Sequence, residues 1–421
     1  MAKQRRLSRR LIVVLALLTA VAALSTDLYL PAFPLVSDDL EASASAVQLT
    51  LTGFMVGMAA GQLFWGPVSD RFGRYRPLLL ASILLVAASA VSALSTSIGM
   101  LVLARVLQGL AGSAGVVIAR AIGRDLATGH ALARLFSVLA VIMGIAPVVA
   151  PVIGGILVGP VGWQGVLWVL TAFTVIILLA VIAVVPETLP IPDRAPAGLR
   201  QVGRSLVTVL SDRSFLGYTL VQGFGFGTVF AFISASSFVL QEQYELSETA
   251  YSVVFAINAV GMILGGILNG RLVGRLGEQR LLRIGVTTLV AAATLLAALA
   301  VAGGRPPLVA LQALVFLASL CVGPIMANSA TLALGRHGGA TAGMAAAILG
   351  AVQSGLAGTI SPLVSLNGPA TALSMAVVMA VSALCAGATY VALCRPAKAA
   401  GGGPTSTDAA RGAAPEVSPP G

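Results

Sequence analysis

The sequence predicts an all-α membrane protein of twelve transmembrane helices arranged as two pseudo-symmetric six-helix bundles. Three observations predict it. Of 421 residues, 57% are hydrophobic and 10% charged, where soluble proteins carry about 25% charged residues. Apolar runs of roughly 20 residues, each long enough to cross a hydrocarbon core of about 30 Å as a helix, recur from one end to the other. Finally, "GPVSDRFGR" (Gly66 to Arg74) aligns with "GRLVGRLGE" (Gly270 to Glu278) at a constant offset of 204 residues, each segment following the second apolar run of its half.

The runs fall at 11–36, 46–67, 77–95, 98–119, 134–158, 163–185, 214–240, 249–270, 281–302, 307–333, 341–365 and 371–394. The first follows "MAKQRRLSRR", which looks like the basic start of a signal peptide, but the run is too long and further spans follow, so it is kept as the first helix. Residues 1–186 then form one bundle and 214–395 the other. Between them "ETLPIPDRAPAGLRQVGRSLVTVLSDR" (Glu187 to Arg213), proline-rich and then basic, reads as a cytoplasmic linker, and 396–421 as a disordered cytoplasmic tail.

Loop charges orient these spans. Alternate loops hold most of the arginines, among them Arg9, Arg10, Arg71, Arg74, Arg76, Arg120, Arg124, Arg271, Arg275 and Arg336, whereas the opposite loops hold Asp38, Asp39, Glu41, Glu242, Glu245 and Glu248, with Arg305 their only base. The positive-inside rule therefore places both termini in the cytoplasm of a cell whose plasma or inner membrane holds the chain. A net charge of +10 spread over short loops presents no basic domain for nucleic acid. Cys321, Cys385 and Cys394 lack metal-ligand spacing and read as apolar fillers, and His130 and His337 as solvated loop residues. With no nucleotide-binding loop, catalytic triad or metal motif, the chain is expected to be neither an enzyme nor a cofactor protein.

Two ionisable groups lie well inside the spans, Asp27 and Arg105. Each costs about 2.5–3.5 kcal/mol on insertion scales, so each needs a protein-lined or wet setting. Asp27 stands 17 residues after Arg10 and 11 before Asp38, about 25 Å and 16 Å along a helix. Pro31 has no N–H for the carbonyl of Asp27, four residues back, so acid and free acceptor coincide there; Pro34 does the same to Leu30. The acid can serve as proton carrier or substrate contact, or as a structural cap. Arg105 can pair with Asp27 or hold freed backbone carbonyls. After it, Gly109 and Ser113 have a spacing that permits close helix packing.

The loop "GPVSDRFGRYRP" combines turn glycines, Gly66 and Gly73, with Asp70, Arg71 and Arg74, and Arg124 and Asp125 lie at the same end of the fourth span. These charges can latch the two halves or simply anchor the loop. In the fifth span "GIAPVVAPVIGG" (Gly144 to Gly155) has Pro147 and Pro151 four apart with Gly154 and Gly155 behind them, which should bend the helix. Tyr29, Gln108, Met143, Gln222, Phe226, Phe230, Asn258 and Gln353 are candidates for lining a cavity.

Taken together, the loop residues Gly66, Asp70, Arg71, Gly73 and Arg74, the group Arg105, Gln108 and Gly109, the Gly144 to Gly155 stretch and "TDLYLPAFP" (Thr26 to Pro34) resemble the motifs of the major facilitator superfamily. Within it the first-helix motif is similar to that of twelve-span drug:proton antiporters of the bicyclomycin and chloramphenicol resistance group. The resemblance implies a monomeric exporter of small amphipathic antibiotics driven by the proton gradient. It also implies coupling through Asp27 and Arg105, inner gating by Asp70 and Arg74, and no cofactor. The second-half loop has Gly274 where Asp70 sits, which implies asymmetric latching. The alternative is a proton-coupled transporter of a native metabolite such as an amino acid or sugar derivative.

Overall fold

In the computed structural model the described residues, 8–194, 199–337, 341–366 and 368–394, contain helices and no strand. The predicted tail at 396–421 and the bases Lys3, Arg5, Arg6, Arg395, Lys398 and Arg411 lie outside them. Helix α1 (Arg9–Asp27) is capped by Ser8, whose Oγ accepts from the Leu11 N–H at 3.2 Å. It stops at Asp27 because Pro31 offers no N–H to continue the ladder. A turn of 3-10 helix (Leu30–Ala32) and the short α2 (Phe33–Asp39) complete the span, so the expected single run at 11–36 is three pieces.

There follow α3 (Ala44–Phe72), α4 (Tyr75–Ala93), α5 (Ile98–Leu126) and α6 (Gly129–Val184). The apolar part of α6 has 51 residues, about 77 Å of helix and so more than two membrane cores. Gly162, with φ 67° and ψ 179°, is non-helical just after Pro160 and divides it into the expected fifth and sixth spans. The linker carries α7 (Leu199–Leu210). Beyond it stand α8 (Arg213–Phe238, extended by a π-turn to Gln243), α9 (Glu248–Leu276), α10 (Glu278–Gly303), α11 (Leu308–Leu334), α12 (Ala342–Ile360, with a 3-10 turn to Ser365) and α13 (Ala372–Leu393).

The repeat inferred from one loop is written in the backbone of a longer segment. Gly73 and Gly277, 204 residues apart, end α3 and α9 with φ of 89° and 74°. Glu41 and Glu245, at the same offset, are the non-glycine residues with positive φ among those described. Two residues on, Ser43 and Ser247 cap α3 and α9 through hydrogen bonds from Ala46 and Ala250. A left-handed non-glycine residue costs about 1–2 kcal/mol, so its presence at matching positions marks a duplicated hairpin.

In the first half α1 packs on α5 and α6, α3 on α5, and α4 on α5 and α6; in the second, α8 packs on α11, α12 and α13, and α10 on α11 and α13. The halves meet along α3 with α12 and α6 with α9. One buried cluster, from Leu11 to Val21 with Leu78, Ile118, Ile122 and Ile177, fills the first half toward the basic loops. The other joins Leu28–Val36, Val47–Met58 and Val158 of the first half to the whole second half. The halves are thus sealed together on the acidic-loop side. Large apolar side chains such as Leu80, Leu103, Ile156, Leu295 and Val391 face outward around the bundle, as burial in hydrocarbon requires.

Candidate functional site

Asp27 is the last residue of α1 and 5% exposed, with Thr26 Oγ1 donating to its Oδ1 at 2.9 Å. Among the described residues no cationic side chain comes within 4.0 Å of it. Arg105, fully buried on α5, takes the second course open to it: Nη2 donates to the Ser25 carbonyl and Nη1 to Gln108 Oε1 at 2.5 Å. Because α1 ends at Asp27, Ser25 has one of the last-turn carbonyls left without an intrahelical partner. The guanidinium also lies 4.5 Å over the Tyr29 ring and 5.3 Å from that of Phe54, a setting that favours a desolvated cation. Gln108 Nε2 donates to Ser89 Oγ at 2.7 Å and the Tyr29 hydroxyl bonds Thr50 Oγ1. Arg105 therefore ties α1, α3, α4 and α5 around the break while leaving the acid unpaired.

The Gly144–Gly155 stretch stays helical, with the non-helical residue of α6 displaced to Gly162. Its two last glycines serve close approach to neighbouring elements. A Cβ on Gly154 would stand 1.9 Å from the Leu28 carbonyl oxygen, and one on Gly155 would stand 2.1 Å from Ser252 Oγ and 2.9 Å from the Glu248 carbonyl of α9. Consecutive residues of α6 thus press on the Asp27–Leu28 break in one half and on α9 in the other. Gly109 behaves as its spacing suggested, with the Phe54 carbonyl 2.0 Å from a hypothetical Cβ.

The expected cavity residues separate into small groups. Tyr29 and Gln108 belong to the Arg105 network. Gln222 Nε2 donates to Gln353 Oε1 at 2.9 Å, Asn258 Nδ2 to Gln312 Oε1 at 3.2 Å, and the Phe226 and Phe230 rings are 5.7 Å apart. Met143 is 38% exposed. Gln222 Oε1 and Asn258 Oδ1 are buried without a hydrogen-bond partner among the described residues. Gln48, which donates to the Ser234 carbonyl at 3.2 Å, and Gln62, which donates to Ser354 Oγ at 3.1 Å, join the halves, and sequence reading missed both. Their signal was a glutamine in an apolar run.

At the basic face the loop charges are brought together, though not as a latch between halves. Arg74 binds Asp70 at 2.5 Å and Asp125 at 3.0 Å, linking α3 to α5 within the first half. Burial alone would push its pKa down; the bonds and charges of Asp125 and Asp70 outweigh this and hold it above the ordinary arginine value. Gly73 makes the reversal, whereas Gly66 lies inside α3, nearly two turns before its end. Arg124 is exposed, and Arg71 lies 5.1 Å over the neighbouring Phe72 ring. Second-half Arg275 is exposed at the equivalent turn, where Gly274 and Glu278 replace Asp70 and Arg74. That half is bound instead through Asp212, which caps α8 and pairs with Arg336 at 3.0 Å. His337 is not solvated: its side chain is 9% exposed, with its ring edge-on to Phe215 and 3.6 Å from Asp212.

Glu187, read only as the start of the linker, completes the Arg74 network. It accepts from the N–H groups of Arg74 at 2.8 Å and Tyr75 at 3.4 Å, so it caps α4, and it pairs with Arg194 at 3.5 Å. Burial raises its pKa, but the bonds from Leu189, Arg74 and Tyr75 and the Arg194 charge outweigh that and leave it below the ordinary glutamate value. A depressed carboxyl adds stability above its unfolded pKa, lost as pH falls through the folded value. Glu187→Gln is therefore expected to lower stability by about 1–2 kcal/mol at neutral pH and to flatten the acid limb of a melting-temperature profile of the purified protein. An acid limb of unchanged steepness would show that the carboxylate contributes nothing there.

A break in the first span, a pseudo-repeat of two six-helix halves and a membrane-embedded acid at their junction point to one kind of molecule, and the comparisons agree. The chain is 40% identical over 373 residues, 88% of this chain and 92% of the relative, to an uncharacterized MFS-type transporter, YdgK, of Bacillus subtilis (strain 168). It is 35% identical over 274 residues, 65% of this chain and 69% of the relative, to a bicyclomycin resistance protein homolog of Haemophilus influenzae. The crystal structure of a mutant of the nucleoside transporter NupG shares the fold, with TM-score 0.71 at 12% identity, covering 90% of this chain and 99% of that one. The family model of the Major Facilitator Superfamily matches residues 15–362, and the chain belongs to that superfamily of membrane transporters.

Proposed function

We propose that the chain is a proton-coupled efflux antiporter that exports small amphipathic antibiotics of the bicyclomycin or chloramphenicol type by alternating access. The observation that carries this reading is Asp27, a buried acid without a cationic partner among the described residues, set where α1 breaks and where α6 bridges to the second half. Such a carboxyl can exchange its charge for a proton at modest cost, because no ion pair has to be broken. Drug bound from one side and proton from the other then compete for the same junction. The similarity to a bicyclomycin resistance protein homolog supports the substrate class.

On this reading the basic face is cytoplasmic and the termini lie there. The protein works in the cell's inner or plasma membrane as a monomer, without cofactor and without catalysing a reaction, and the proton gradient drives it. The test is drug susceptibility of a host lacking its own pumps, with and without expression, paired with bicyclomycin and chloramphenicol flux into vesicles under an imposed pH gradient. Raised resistance and gradient-dependent flux are expected. If neither drug moves and resistance is unchanged, the antibiotic reading fails.

A further inference from the structure

We propose that the turn between α9 and α10 is a docking site for an anionic phospholipid, held by Arg271, Arg275, Arg280 and Arg283. The inference is independent of which compound is transported. All four arginines are exposed, and among the described residues none of them forms an ion pair. The segment from Arg271 to Arg283 holds one acid, Glu278, which starts α10 and is likewise unpaired. Arg271 and Arg275 stand four apart on one helix, where like charges destabilise each other. An anion from outside the chain relieves that repulsion.

The faces that carry the arginines say which anion. On α9 the exposed residues Val253, Ile257, Val260, Leu264 and Leu268 recur every three or four positions, and Arg271 and Arg275 continue the series. This stripe lies opposite the side that meets α6 through Ser252 and α11 through Gly265. On α10 a second stripe begins with Arg280 and continues through Ile284 and Leu295, opposite the buried Leu282, Val286 and Leu289. Both stripes face hydrocarbon along the span, so their arginines stand at headgroup depth, Arg271 about 4.5 Å beyond Leu268 along the axis. Their aliphatic stems lie along acyl chains while the guanidinium groups reach phosphate, which they bind through paired N–H donors. Gly277, with φ 74°, reverses the chain within one residue and brings the two arginine pairs together. A zwitterionic headgroup brings its own cation, so a lipid of net negative charge is the one that neutralises the turn.

The site is particular to the second half. At the offset of 204 residues the first half has Pro67, Arg71, Arg76 and Leu79. Its turn also carries Asp70, which closes with Asp125 on Arg74. Internal carboxylates supply there the negative charge that a lipid supplies here. Because α9 is the helix that Gly155 of α6 touches, the lipid holds the second half's side of that contact in the leaflet on the basic side.

The experiment titrates the purified full chain in neutral detergent with phosphatidylglycerol and counts retained lipid by native mass spectrometry. Parallel arms use phosphatidylcholine alone, and phosphatidylglycerol competed by a tenfold excess of inorganic phosphate. Retention of phosphatidylglycerol that neither arm reproduces or abolishes is expected. Arg271→Gln/Arg275→Gln should raise the half-saturating concentration about thirtyfold, at about fivefold per arginine near an anionic surface, and Arg280→Gln/Arg283→Gln should act in the same direction. These side chains make no ion pair in the folded protein, so folding is expected to survive. Arg71→Gln/Arg76→Gln, the first-half control, should change it less than threefold. Equal retention of phosphatidylcholine, displacement by inorganic phosphate, an unchanged midpoint in both second-half variants, or an equal loss in the first-half control each overturns the proposal.

Discussion

Asp27→Asn is expected to leave the protein folded and inserted while abolishing gradient-driven export. Asparagine keeps the shape and an oxygen for the Thr26 hydroxyl, whose bond to Oδ1 is 2.9 Å. It also removes the cost of a buried carboxylate, so assembly should not suffer. What it cannot do is carry a proton. Each proton moving down about 100 mV supplies about 2.3 kcal/mol, equivalent to roughly a fifty-fold concentration ratio. Losing it should collapse the drug ratio held by vesicles from about that value to unity, while drug-for-drug exchange without a gradient persists. Vesicle flux with and without an imposed pH gradient measures both, and undiminished uphill export by the variant would falsify the assignment.

Gly154→Ala should be among the most damaging single methyl additions in the first half. Its Cβ would meet the Leu28 carbonyl oxygen at 1.9 Å, and that neighbour is backbone, so α6 and the Asp27 break must part. Overpacking costs about 1–3 kcal/mol, and a rigid neighbour puts this case near 3 kcal/mol. Transport should fall with stability, since the displaced carbonyl adjoins the acid. Gly159→Ala, where a Cβ meets nothing within 4 Å, is the control on the same helix and should leave the melting temperature unchanged or raise it. Equal melting temperatures for the two alanine variants would remove the close-contact argument.

Much of the site was legible because membranes make polarity conspicuous. A lone acid and a lone arginine in apolar runs identify themselves by cost, and Pro31 marks the freed carbonyl of Asp27, although the run reads as one span and α1 stops at Asp27. The pairings were not legible. Arg105 at Asp27's depth had two uses, and only the position of the Ser25 carbonyl decided between them. Glu187 was one acid among linker residues until the fold carried it to the start of α4. Gln48 and Gln62 gave too little signal, because a single polar side chain on a helix does not say which half it faces.

By itself the sequence determined the twelve spans, the duplication and the presence of a costly acid at Asp27, since hydrophobic length, repeat offset and insertion cost are local quantities. Tertiary structure alone decided that the Arg74 charges close on the first half and the linker, and that Gly154 and Gly155 are points of close contact with Leu28 and with α9. The physical reason is distance along the chain. Asp125 and Glu187 are 51 and 113 residues from Arg74, and contacts of that separation are set by helix packing, which no local pattern encodes.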